Sequence, residues 1–154
     1  MSARRFELPQ GAYLEAETEL DVRFQEVDSL RIVWHGHYLT YCEEGRLAFG
    51  RAFGIGYEDL AEAGLAVPIV HAQLDYLAPA RFGQRLRVRA RLYPERAARL
   101  SFRYWIEAEG RLLATAFTVQ AFTDLEGRLQ VVRPPYYDAF LSRWDQELRE
   151  GEPC

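Results

Sequence analysis

Three side chains between positions 28 and 37 have the chemistry to act on a carbonyl. Asp28 offers a carboxylate, and His35 and His37 offer two imidazoles. A carboxylate can take a proton from water or attack a carbonyl carbon itself, and an imidazole can orient either partner. His35-x-His37 with Asp28 is also a conceivable set of metal ligands. His-x-His is common by chance, however, and nothing nearby in the sequence supports such a site, so no metal is assigned. Two other hydrolytic arrangements are missing: there is no Gly-x-Ser-x-Gly for a serine nucleophile and no His-Glu-x-x-His for zinc. The plainer alternative is that Asp28 caps a turn and both histidines lie on the surface.

What would turn these residues into a site is the pair of elements around them. Val22, Phe24 and Glu26 alternate with Asp21, Arg23 and Gln25, which predicts a strand ending near Asp28. A helix is predicted from about His35 or Gly36 to Phe53. Gly45, Ala48 and Ala52 recur at spacings of three and four and share a face, while Leu39, Cys42, Phe49 and Phe53 make a neighbouring apolar face. Small residues beside large apolar ones let a helix lie close to a sheet. At about 16 residues the helix would be roughly 24 Å long, the width of a small domain. Its N-terminus would present unpaired N–H groups and a partial positive charge. Asp28 and His35 would then stand beside a pole suited to the negative charge that develops on a carbonyl oxygen under attack.

Taken in order, Asp28, Val33, Trp34, His35, Tyr38, Tyr41, Glu43 and Arg46 resemble the motif of the 4-hydroxybenzoyl-CoA thioesterase family of the hot-dog fold, which includes the Tol-Pal-associated acyl-CoA thioesterases. A second segment, VHAQLDYLAPARFGQRLRVRARL, is similar to the same family, with Tyr76, Pro79 and Ala80 closing one strand and Gln84 opening the next. The likeness runs from about Leu20 to Pro135. It implies an antiparallel sheet wrapped around one long central helix, and hydrolysis of an acyl-CoA thioester to free acid and CoA. Asp28 would be the general base or nucleophile, assisted by His35. Trp34, Tyr38, Arg31 and Glu43 would bind substrate, although Glu43 and Arg46, three apart on a helix, most simply pair with each other. CoA belongs to the substrate, so no cofactor is implied. A homodimer or homotetramer is implied, with the site at the subunit boundary.

One position departs from that pattern. The family places Gly where this chain has Arg31. Gly there permits close backbone approach or a positive φ. The Arg would alter the loop, or contact the acyl group or a phosphate. Two alternatives stay open beside hydrolysis of acyl-CoA. One is a protein that binds acyl-CoA without cleaving it, its site blocked by Arg31. The other is a thioesterase for acyl carrier protein, whose pantetheine arm is the same. A hydratase of the same broad fold would need a different helix motif, which is not found. The sequence leaves the acyl group open.

The rest of the chain supplies a sheet. Residues 1–18 read as a solvated tail, 19–135 as the domain, and 136–154 as a C-terminal helix and tail. Gly54 and Gly56 should stop the long helix. GYEDLAEAG reads as a short helix with Tyr57, Leu60 and Ala61 on one face, ended by Gly64. Leu65 to Leu77 reads as a strand with Pro68 near its start, and His71 within it as a packed residue. From Gln84 to Leu92, four apolar residues alternate with Arg85, Arg87, Arg89 and Arg91. The arginine stripe is expected to pair with Glu107 or Glu109, although a phosphate of CoA could meet one or two of these groups. Leu100 to Glu107 alternates again, and Glu109-Gly110 signals a hairpin. Arg111 to Thr123 is apolar on both faces, with a short return strand to Val132. Pro134-Pro135 ends the sheet, and 136–149 forms a helix with Phe140, Leu141, Trp144 and Leu148 on one side. Runs of strands after an isolated helix indicate an α+β fold with an antiparallel sheet. Its edges call for a second copy.

Bulk composition closes off several function classes. The chain has 154 residues, 49% of them apolar, which suits one globular domain. A net charge of −4 argues against general binding to nucleic acid or anionic membranes. Every cationic side chain is Arg, so no lysine is available for a Schiff base or a phosphate-binding loop. Cys42 and Cys154 form no framework, which fits a reducing cytoplasm. No stretch is apolar enough for a signal peptide or a membrane span.

Overall fold

The element everything else surrounds is a 17-residue helix, α1 (His37–Phe53), in a computed structural model that describes residues 6–151. Gly36 stands at its N-cap. Gly54 ends it with φ +71°, a conformation that residues with a Cβ resist. Gly56 has another task than the one expected of it. It opens the next helix, α2 (Tyr57–Glu62), and donates its N–H to Asp59 Oδ2 at 2.8 Å.

The buried face of α1 carries Tyr38, Tyr41, Cys42, Gly45 and Phe49. The helix comes nearest the sheet at Gly45, where an added Cβ would lie 2.8 Å from Val88 Cγ1. The small-residue stripe is otherwise shorter than expected, because Ala52 in the last turn is exposed. Leu39 also departs from expectation and is 42% exposed. Each residue advances 100° around the axis, which puts Leu39 to one side of a face centred on Cys42 and Phe49.

The strands are β1 (Leu14–Asp21), β2 (Leu65–Ala66), β3 (Ile69–Tyr76), β4 (Arg85–Leu92), β5 (Arg99–Ala108), β6 (Arg111–Ala121) and β7 (Thr123–Asp124). Five of them form one antiparallel sheet in the order β1-β4-β5-β6-β3, while β2 pairs with β7. The sheet packs on α1 through β1, β4 and β5. Leu86, Val88, Leu92, Phe102, Tyr104 and Ile106 from its inner face join the helix residues in one core. This is the α+β, hot-dog arrangement, a single apolar helix in an antiparallel wrap.

The start of the chain corrects the sequence reading. Residues 14–18, assigned to the tail, belong to β1. The strand expected over 22–26 is instead a 3-10 turn, Phe24–Glu26, with Glu26 buried. The inner face of β1 is Leu14, Ala16, Thr18 and Leu20, too small and mixed to stand out in the sequence. Placing β1 beside β4 also redirects the arginine stripe. Arg85 binds Glu19 at 2.9 Å and Asp21 at 3.1 Å, Arg87 binds Glu17, and Arg91 binds Glu15. Of the hairpin acids, Glu107 takes Arg89 at 2.7 Å, while Glu109 (φ +53°) and Gly110 (φ +76°) form the tight turn itself.

Later elements follow the pattern with local changes. Pro68 splits the expected 65–77 strand into β2 and β3. His71 is packed, between Phe6 and Phe117 at ring separations of 5.3 and 5.0 Å. Phe117 and Val119 on the outer face of β6 are buried as well as its inner residues. The return strand to Val132 does not form: Thr123 bridges Leu129 alone, and Val131 and Val132 are exposed. The two-residue β7 is already paired with β2. Pro135 begins a helix rather than ending the sheet, since a proline fits the first helical position. This α3 (Pro135–Trp144) stops short of Arg149 and runs into a 3-10 turn, Asp145–Glu147. Tyr136 Oη donates to the Gly54 carbonyl at 3.3 Å and Trp144 Nε1 to the Phe53 carbonyl at 3.0 Å, so α3 closes the C-terminal end of α1. The expectations for residues 1–5 and for Cys154 lie outside the described residues. No helix among the described residues is long and apolar enough to cross a membrane.

Candidate active site

The segment between the 3-10 turn and α1 folds back on itself. Asp28 donates its N–H to the Ile32 carbonyl and accepts the Arg31 N–H on its own carbonyl, both at 2.9 Å. Its Oδ1 accepts the Leu30 N–H at 2.8 Å. Asp28 therefore does cap a turn, but with one carboxylate oxygen. Arg31 sits at the end of this turn with φ +63°, the conformation for which the family's Gly is suited.

Further bonds tie the segment to the sheet and to α1. Val33 donates its N–H to the Ala80 carbonyl at 2.8 Å, and Trp34 donates to the Glu26 carbonyl at 2.9 Å. The buried Glu26 carboxylate accepts the Arg23 N–H at 2.7 Å and the Tyr41 hydroxyl at 3.2 Å. Burial first, and then the Glu26 charge, push the Tyr41 phenol well above its ordinary pKa. At the helix entry, the His37 N–H goes to the Trp34 carbonyl at 3.0 Å.

These constraints open a cleft of about 430 Å³ at the N-terminal end of α1. Asp28, His35 and Tyr38 line it together with Ile32, Tyr76 and Leu77. Tyr38 is buried, and its hydroxyl accepts the Ala80 N–H at 3.0 Å. The Tyr76 ring meets Tyr38 edge-on, with centroids 5.0 Å apart, and Tyr76 Oη donates to the His35 carbonyl at 2.8 Å. Desolvation, and then Tyr38 and Cys42, raise the Tyr76 pKa, so its phenol stays a donor at neutral pH. Burial likewise pushes the Cys42 thiol up to about 12, which leaves it a packing group.

Of the residues expected to bind substrate, Tyr38 alone is in this cleft. Arg31 is exposed at its turn. Trp34 lies over the helix entry, its ring 4.8 Å from that of His35 and 5.4 Å from that of His37. A Cβ on Gly36 would fall 2.0 Å from the indole, so any larger residue here would have to displace the Trp34 ring. Glu43 is exposed farther along α1, 3.7 Å from Arg46. The simple Glu43–Arg46 pair is therefore loose. The Arg46 guanidinium chiefly donates to Tyr57 Oη at 2.8 Å and Tyr104 Oη at 3.0 Å. Asp28, His35 and His37 form no group able to hold a metal among the described residues. Tyr76, read from the sequence only as closing a strand of the second family-like segment, is a cleft residue not counted among the expected site residues; its signal was a hydroxyl-bearing aromatic just ahead of the Pro79 turn.

A turn-held carboxylate lining a cleft at the helix entry, inside a hot-dog wrap, is the arrangement of a thioesterase-like protein. A profile of the Thioesterase-like superfamily matches residues 22–146, and the chain belongs to that family. A crystal structure of a hypothetical protein from Thermus thermophilus is 35% identical with a TM-score of 0.75, covering 82% of this chain and 97% of its own. A 1,4-dihydroxy-2-naphthoyl-CoA thioesterase from Synechocystis is 25% identical with a TM-score of 0.73, covering 85% of this chain and 98% of its own. A chloroplastic acyl-acyl carrier protein thioesterase of Arabidopsis thaliana is 36% identical over 90 residues, 58% of this chain. The chain spans about half of that relative, 47% of its length.

Proposed function

We propose that this protein hydrolyses an acyl thioester of coenzyme A to the free acid and CoA, in the cytoplasm. The observation that carries this reading is the convergence of Asp28 and His35 on one cleft at the start of α1. The thioester carbonyl oxygen points at the helix entry, where backbone N–H groups and the positive pole of the helix take up the developing charge. Asp28 removes a proton from water as that water attacks the carbonyl carbon. Alternatively the carboxylate attacks directly, and water then cleaves the resulting anhydride. Collapse of the tetrahedral intermediate breaks the C–S bond, and the CoA thiolate leaves and takes up a proton. His35 orients the water or the carbonyl. A thioester needs less activation than an amide, so one carboxylate and one helix pole suffice.

The exposed position of Arg31, outside the cleft, argues against the reading in which it blocks the site. It leaves the guanidinium free to meet a phosphate of CoA at the rim. The carrier has a second reading, because one relative is named as an acyl-acyl carrier protein thioesterase. The test is thiol release from straight-chain and aromatic acyl-CoAs and from acyl carrier protein, for the wild type and for Asp28→Asn. The variant is nearly isosteric, and its rate is expected to drop by about 10²–10⁴-fold with folding intact. An unchanged rate across the panel rejects the role of Asp28. Binding seen by thermal shift without thiol release rejects hydrolysis.

A further inference from the structure

We infer that Tyr76 is a positioning residue for this cleft, its phenol locking the peptide at the entry to α1; the inference rests on the thioester-hydrolase reading above. The contact is the 2.8 Å hydrogen bond from Tyr76 Oη to the His35 carbonyl, which joins residues 41 positions apart. Tyr76 is the last residue of β3, an edge strand of the sheet. Its ring is held in turn by the edge-on contact with Tyr38, and Tyr38 is fixed by the Ala80 N–H.

The peptide so held is the one between His35 and Gly36. Gly36 has no Cβ, the Trp34 ring lies where one would be, and a glycine leaves both orientations of the preceding peptide accessible. Local sterics therefore do not decide which way this peptide faces. The choice matters in a site that gathers negative charge. A carbonyl turned towards the substrate would set the negative end of its dipole against the developing oxyanion. A planar trans peptide carries its N–H opposite its C=O, so anchoring the His35 oxygen also fixes the direction of the Gly36 N–H. The His37 N–H is already given to the Trp34 carbonyl, which leaves stabilisation to its neighbours. A hydroxyl donated from the sheet supplies the restraint that the glycine lacks. It does so before substrate arrives, which is what preorganisation requires.

Tyr76→Phe deletes this hydrogen bond and keeps the ring. A control exists at the other end of the same helix, where Tyr136 Oη donates to the Gly54 carbonyl. With acyl-CoA substrates, Tyr76→Phe is expected to lower kcat about 10- to 100-fold and to leave KM within about threefold. Its melting temperature and the shape of its pH profile should match the wild type, and Tyr136→Phe should keep the wild-type kcat. Wild-type kcat in Tyr76→Phe, with Asp28→Asn inactive, overturns this inference and leaves the hydrolase reading standing. Loss of kcat only in step with lost folding, or equally in Tyr136→Phe, overturns it too. A wild-type protein that releases no thiol from any acyl thioester overturns both.

Discussion

Arg31 shows how one side chain can be tolerated against its backbone. It closes the Asp28 turn with φ +63°, and a left-handed conformation costs an L-residue about 1–2 kcal/mol. Glycine would remove that cost but lose more freedom on folding, which offsets part of the gain. Arg31→Gly is therefore expected to raise stability by about 1 kcal/mol or less, read from the urea midpoint. Arg31→Val should lower it, because a β-branched residue fits this conformation worst. The same variants report on the rim of the cleft. If the guanidinium meets a CoA phosphate, Arg31→Gly raises KM for acyl-CoA and leaves kcat unchanged. A stability that falls in Arg31→Gly would show that the guanidinium holds the turn in some other way.

Among the elements, α1 and β4 approach each other most closely at Gly45. Gly45 has no room for a Cβ, since Val88 is fully buried and its branched side chain has little freedom to turn aside. Gly45→Ala is expected to destabilise by about 1–3 kcal/mol despite the better helix propensity of alanine. Adding Val88→Ala should recover part of that loss, and a double-mutant cycle measures the coupling. These two elements were also the most legible in the sequence. The helix has a small residue, large apolar groups at helical spacing and glycines at both ends, and β4 alternates strictly. β1 was illegible for a physical reason. Its inner face mixes Leu14 and Leu20 with Ala16 and Thr18, and its acids look solvated until β4 brings arginines beside them. The candidate site divides in the same way. Asp28, His35 and Tyr38 are close in sequence and were readable as a group, whereas Tyr76 reaches them only through the path of β3. Trp34 and Glu43, which belong to the motif, and Arg31, which departs from it, stand outside the cleft of a single chain. Their placement depends on side-chain directions that spacing does not encode.

At the scale of the whole molecule, an open five-stranded sheet leaves two edges, β1 and β3, and they differ in chemistry. β1 carries Glu15, Glu17, Glu19 and Asp21 along its outer face, already committed to the arginines of β4, so it offers a second copy a charged rather than an apolar edge. β3 instead exposes Ile69, Val70 and Tyr76, and Leu77 just beyond it. We propose that β3 is the edge on which two copies meet. A two-fold axis makes such a pairing antiparallel, so the Ile69–Val70 end of one copy approaches the Tyr76–Leu77 end of the other. That end is the mouth of the cleft, and pairing would wall it with a second chain. Val70→Glu is expected to convert a dimer into monomers by analytical ultracentrifugation. The monomer should keep its fold and lose most of its thiol-releasing activity, because substrate would face an unwalled cleft. A wild-type monomer at micromolar concentration, or a Val70→Glu variant that still sediments as a dimer, would place the subunit contact elsewhere. A Val70→Glu monomer with full activity would show that each chain holds a complete site.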